Sequence, residues 1–246
     1  MAGPGPSAPF LRARDRFETE YDLERPVAVR VRADPDERTW AAHGETRHVL
    51  NISRAAAASA MAAELALHEF AHMRRYEEGH ASHTQLTEEA LYLAFAGHRV
   101  ERRKVVHSYQ IANHMKDIYA DDITVDVAPG DKLVAFFESG LAAALADRPA
   151  ARPPGWTRLT PAADPDITAI NAAFALALLE RHDLVEPDHR LYDLAAIAAA
   201  DAPTVDQGRF QRRFRDLVDD PGRSEYRRLL VDAISDYAVP EPTAAD

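Results

Sequence analysis

The chain has 246 residues, 46% of them hydrophobic, enough for one large domain or for a compact core with a helical extension. Its 40 acidic against 29 basic residues leave a net charge of −11, which argues against a nucleic-acid or anionic-membrane surface. There is no cysteine, so disulfides, thiolate catalysis and cysteine-based zinc sites are excluded, and any metal site must be built from histidine and carboxylate.

The N-terminal MAGPGPSAPF lacks the basic start and apolar core of a signal peptide, and residues 1–9 read as a disordered, Gly/Pro/Ser-rich lead. Val27 to Val31 alternates valine with other residues, the pattern of a half-buried strand, and Asp34-Pro35-Asp36 signals a turn. Thr39 to Ala42 and Arg47 to Ile52 read as further strands around a tight turn at His43-Gly44-Glu45, giving a small antiparallel sheet. Ser53 suits the N-cap of a long Ala-rich helix running to Glu77, with Gly79 just past its end. Leu86 to Val106 predicts a second helix, with Gly97 at a kink, and Ser108 to Asp121 a third. Ile123 to Val127 alternates like a short strand before Pro129-Gly130.

Beyond that turn, Leu133 to Ala146, Ile167 to Leu179, Leu191 to Ala199, Arg209 to Val218 and Ser224 to Tyr237 predict helices. Pro149, Pro153-Pro154, Pro161, Pro165, Pro187, Pro203 and Pro221 fall in the connections. The expected fold is α+β and predominantly helical: a motif-bearing part over residues 10–128, then an all-helical region over 129–246. No run reaches the roughly 20 apolar residues that span a bilayer, so no membrane partner and a cytoplasmic location are expected. Only Lys104, Lys116 and Lys132 among the basic residues are lysines, a halophile-like composition of the kind a GC-rich genome produces. Arg102-Arg103-Lys104 and Arg212-Arg213 lie among acids and read as solvated helix faces.

The chemistry concentrates at His68-Glu69-Phe70-Ala71-His72. Two histidines four residues apart stand one turn apart on one helix face, so both imidazoles can reach one ion. Zinc suits such a pair, since nitrogen and oxygen ligands at about 2.0 to 2.2 Å complete a tetrahedron with one open position. Glu69, one residue on, projects beside the metal, where it can take a proton from water activated by the ion. Glu69 also shares helical spacing with Ala62, Leu65, Ala66 and Met73, and burying three ionisable groups is costly unless something pairs with them.

This HExxH pattern resembles that of the zincin metallopeptidases, which implies a zincin-like core, a zinc cofactor and a peptide or protein substrate. The metzincin form fails, because Arg75 stands at its glycine position and Glu78 at its third histidine. Arg74 departs from the apolar residue usual after the second histidine. His80 and His83 offer a short-spaced third ligand, but they follow Gly79 in a polar stretch that reads as a solvated loop. The gluzincin class, with a downstream carboxylate, remains, and Asp117 and Glu101 are its candidates. Asp117-Ile118-Tyr119-Ala120-Asp121 resembles the Glu-x-x-Ala-Asp motif of the HtpX/CAAX-protease type of gluzincin. That resemblance implies Asp117 as third ligand and Asp121 as the partner of a motif histidine. Asn113 to Asp121 is also similar to the Asn-x-x-x-Asp helix of several HExxH families with archaeal members, although Asp117 is one methylene shorter than the usual glutamate. Glu101 lies among arginines, as an ion-paired surface helix would have it. The resemblance covers roughly residues 27 to 125, and it implies that His48 to Ile52 is the edge strand to which substrate peptide adds.

Tyr76, Tyr92, Tyr109, Tyr119 and His98 are alternative oxyanion donors for which packing or exposure is the plainer reading. His107 and His114 lie a heptad apart around the third helix; His114, three residues before Asp117, is open to a role supporting the metal ligands, with a solvated face the plainer reading, and His182 and His189 look structural. Phe210 and Phe214 should pack inward. The expected function is a zinc-dependent metallopeptidase with His68, His72 and Asp117 as ligands and Glu69 as base. The alternative is a non-catalytic interaction or regulatory protein that keeps the fold and works through its helical C-terminal region.

Overall fold

The structure, a computed structural model, describes residues 6–34, 38–147 and 164–239. Residues 1–5, most of the Asp34-Pro35-Asp36 turn, and Pro149, Pro153-Pro154 and Pro161 lie outside the described residues. The chain divides into two compact units: residues 1–84 with 119–128, and residues 85–118 with 129–246. The fold is predominantly helical α+β, with eleven helices and three strands among the described residues.

The first unit opens with α1 (Ala8–Phe17), so Ala8 and Pro9 are helical rather than part of a disordered lead. Proline suits this place because its ring pre-sets the helical φ where the N–H has no partner anyway. Phe10, Ala13 and Phe17, at helical spacing, are the buried face that holds the helix down. Phe17 meets Phe70 edge to face, with ring centroids 5.8 Å apart.

Strands β1 (Val27–Arg32), β2 (Trp40–His43) and β3 (His48–Ser53) form one sheet in the order β1-β3-β2. β2 runs antiparallel to β3, but β1 runs parallel to it, so the sheet is mixed rather than antiparallel throughout. Alternation reports which residues share a face and says nothing of strand direction. Because β3 is paired on both sides, it is the central strand, not the expected edge. β1 and β2 are the edges.

The helix expected from Ser53 to Glu77 is two helices. Ser53 caps α2 (Arg54–Ala58) by accepting from the Ala56 N–H. Ser59 then ends it in extended conformation, its hydroxyl donating to the Ala56 carbonyl and accepting from the Met61 N–H. A serine side chain that bonds its own backbone competes with helix continuation. α3 (Ala62–Glu77) carries the motif. Gly79, at φ +66°, turns the chain out of α3 into the short α4 (Ala81–Thr84).

The second expected helix ends early. α5 (Thr87–Phe95) stops before Gly97, whose φ of +80° a residue with a Cβ adopts only under strain. α6 (Arg102–Val127) then runs unbroken through both the third expected helix and the expected strand at Ile123 to Val127. Ile123 and Val127, four apart, are both buried, and the Thr124 hydroxyl donates to the Ala120 carbonyl. Burial at a spacing of four is a helix pattern, which overrode the β-branched alternation. Tyr119 to Val127 belongs to the first unit and the earlier part of α6 to the second.

The second unit adds α7 (Gly130–Ala146), α8 (Pro165–Arg181), α9 (Arg190–Asp201), α10 (Gln207–Arg215) and α11 (Arg223–Ala238). α8 is buried along most of its length, from Asp166 through Leu179, so it serves as the central helix on which α9 and α10 pack. Pro165 is inside its first turn, beside the cap Asp164, rather than in the connection. Phe210 and Phe214 of α10 do pack inward, at 4% and 0% exposure. No helix among the described residues is long and apolar enough to cross a membrane.

Candidate metal centre

α3 places His68 and His72 one turn apart, and their Nε2 atoms lie 3.0 Å apart with the rings nearly perpendicular. Two nitrogens bound to one tetrahedral zinc at 2.0 to 2.1 Å would stand about 3.3 Å apart. The pair is thus set as ligands would be, within a few tenths of an ångström. Glu69 is 6% exposed, between the buried neighbours Ala66, Phe70 and Met73 along the same helix. Arg74 departs from the usual apolar residue because it pairs with Glu78 and donates to the Asp22 carbonyl. Arg75 donates to the Tyr119 carbonyl at 2.9 Å, tying the motif helix to α6.

α6 supplies the carboxylates. Asp121 Oδ1 lies 2.6 Å from His68 Nδ1, and the Asp121 side chain is only 5% exposed. Asp117 stands one turn earlier on the same continuous helix, hence on the same face. Asp117 falls in the second unit, whereas His68, His72 and Asp121 fall in the first. With His68 Nδ1 on Asp121 and both Nε2 atoms converging, the two imidazoles are donors of the kind that suits zinc. The side chains of His68 and Asp117 are about a quarter exposed, so solvent reaches them.

The other candidates fall elsewhere. Glu101 is exposed at the start of α6, which at 1.5 Å per residue puts it about 24 Å along the axis from Asp117. His114 is buried, not solvated: it stacks on Phe174 with centroids 4.2 Å apart, and its Nε2 lies 2.8 Å from Asn171 Oδ1. Its Nδ1 lies 3.7 Å from Asp117 Oδ2. The stretch read as a solvated loop is α4. His80 is buried, and His83 Nε2 lies 2.7 Å from His72 Nδ1. Gly79 is what folds these residues back, and the polar composition alone gave no sign of it.

A further polar group lies in the first unit. His48 is fully buried with Nε2 2.9 Å from Glu77 Oε1, and His43 Nδ1 lies 3.2 Å from His48 Nδ1. His43 stacks on Tyr76, one turn past His72, with centroids 4.1 Å apart. Burial, then the nearby His48, His72 and Arg25, push the His43 pKa down to about 4, against the pull of Glu77. Burial alone would raise Glu77, but the Glu24 N–H, His48 and the Arg25 N–H hold it below the usual carboxylate range. Sequence reasoning passed over this group, because its members come from three separate elements. Of the oxyanion alternatives, Tyr92 and Tyr109 are exposed and Tyr119 is a core residue.

In the second unit His107, Asp164 and Asp166 also cluster. Arg103 forms a two-pronged ion pair with Asp164 and reaches Asp166 at 3.1 Å, so the carboxylates are already compensated. Arg103 thus lies on an exposed face, as expected, while its guanidinium is bound into this clasp, and His107 is buried beside it. Lys104 likewise donates to the Tyr237 carbonyl. His189 caps α9 by accepting from the Leu191 N–H.

The chain belongs to DUF5781, a family of unknown function, whose model matches residues 1–239. No curated protein and no solved structure matches it.

Proposed function

We propose that this DUF5781 chain is a zinc-dependent metallopeptidase of the zincin kind, with His68, His72 and Asp117 holding the ion and Glu69 acting as general base. The observation that carries this reading is the convergence of the His68 and His72 Nε2 atoms, 3.0 Å apart, with His68 Nδ1 held by Asp121. When bound, zinc would lower the pKa of a water to about 7 and polarise a carbonyl. Glu69 takes the proton of the attacking water and passes it to the leaving amine. Asp121 holds His68 by its Nδ1–H, which fixes the tautomer that leaves Nε2 to the ion.

An extended peptide needs an open strand edge. β3 has none, whereas β2 (Trp40–His43) is an edge, runs antiparallel to β3 and packs on α3. β2 is accordingly the strand on which substrate is aligned. In the test, Glu69→Gln abolishes cleavage of a peptide library while zinc content stays near one per chain. Undiminished proteolysis by that variant overturns the mechanism.

A further inference from the structure

Behind His72 runs a line of polar groups with no part in the chemistry above. His72 Nδ1 lies 2.7 Å from His83 Nε2, and His83 Nδ1 lies 2.7 Å from Ser82 Oγ. Ser82 Oγ in turn lies 2.7 Å from His80 Nδ1. Ser82 is fully buried and His80 nearly so, its ring packed against Tyr119 at 4.6 Å between centroids.

The direction of the line follows from its far end. The backbone N–H of Ser82 can only donate, and it faces His80 Nδ1 at 3.3 Å. His80 Nδ1 is then a bare acceptor, so the Ser82 hydroxyl donates to it rather than receiving from it. That hydroxyl accepts from His83 Nδ1–H, which leaves His83 Nε2 bare. His83 Nε2 accepts from His72 Nδ1–H, which leaves His72 Nε2 bare and directed at His68 Nε2. Run the other way, His72 Nε2–H would donate to His68 Nε2, but the Ser82 N–H would then face a proton on His80 Nδ1. The Ser82 end therefore sets the direction, and the bare Nε2 atoms of His72 and His68 are left facing each other where an ion would sit.

The geometry points to His83 and Ser82 as positioning residues that fix the Nδ1–H tautomer of His72 before any ion arrives. The two motif histidines are then preset by separate devices, His68 by Asp121 and His72 by α4. This inference rests on the metal reading proposed above.

Two measurements on the full chain separate the two ideas. Long-range proton–nitrogen NMR of the metal-free protein reports the tautomer directly. His72 is expected as Nδ1–H in the wild type and as a mixture in His83→Leu, and a wild-type His72 protonated on Nε2 overturns the inference. In titrations with zinc ion alone, His83→Leu is expected to bind about 10- to 100-fold more weakly. His83→Gln, whose Oε1 accepts from His72 Nδ1–H, should restore most of that loss. Ser82→Ala, a small change in a folded background, should weaken binding about threefold. Unchanged affinity in folded His83→Leu and Ser82→Ala overturns the positioning role. A wild type that takes up no zinc overturns the metal reading, whatever the tautomer.

Discussion

Asp117 and Asp121 are chemically identical and one turn apart, yet their surroundings differ. Asp121 is buried with an oxygen 2.6 Å from His68 Nδ1, while Asp117 is more exposed. On the proposed reading Asp117 is a ligand and Asp121 the partner of one. Removing a ligand takes away a metal bond, whereas removing the partner of a ligand loosens its orientation. Asp121→Asn should therefore cost about 10- to 100-fold in zinc affinity and Asp117→Asn clearly more, as read by competition with a chelating dye. Equal losses would argue against the separate roles. The HEFAH pair was plain from spacing alone, because one helical turn brings residues i and i+4 together whatever else the chain does. His83 was not, since its approach to His72 depends on the turn at Gly79.

At the level of elements, the informative case is α6. Ile123, Val125 and Val127 alternate as in a strand, yet Ile123 and Val127 are buried on one side of a helix with Ala120 in the same core. Ile123→Ala should destabilise the chain by about 2 to 4 kcal/mol, measured by urea unfolding, because it empties a closed apolar site. A loss below 1 kcal/mol would mean that the site is not packed as described. The same helix carries both Asp117 and Asp121. Local propensity could not announce this, since β-branched residues favour strands only weakly and tertiary packing decides. The break at Ser59 was equally hidden, because an Ala-rich run looks helical throughout.

For the molecule as a whole, the His43 pKa makes stability depend on pH. His43 titrates near 6.5 when unfolded and is pushed down to about 4 when folded. Between those values the unfolded chain binds more protons, so stability falls as pH is lowered through this window and the loss levels off below it. Glu77, depressed when folded, adds a loss of the same sign below its usual range of about 4.5. Urea midpoints should thus decline from pH 7 to pH 4, and His43→Gln should flatten the part above pH 4.5. An unchanged slope in that variant would remove His43 as the cause. The net charge of −11 is distributed over both units, and ion pairs such as Arg103 with Asp164 and Asp166 anchor helix ends within the second.

What the sequence by itself determined is what periodicity and covalent spacing determine: a mainly helical chain, the His68/His72 pair, the helix that bears Asp117 and Asp121, and the absence of any thiol chemistry. Direction of strands, the central place of β3, the run of α6 through a strand-like segment and the return of His83 to His72 were decided by tertiary structure alone. Those features bring together residues far apart in the chain, or choose between local states of nearly equal free energy. Burial makes that choice, and burial exists only once the units have formed.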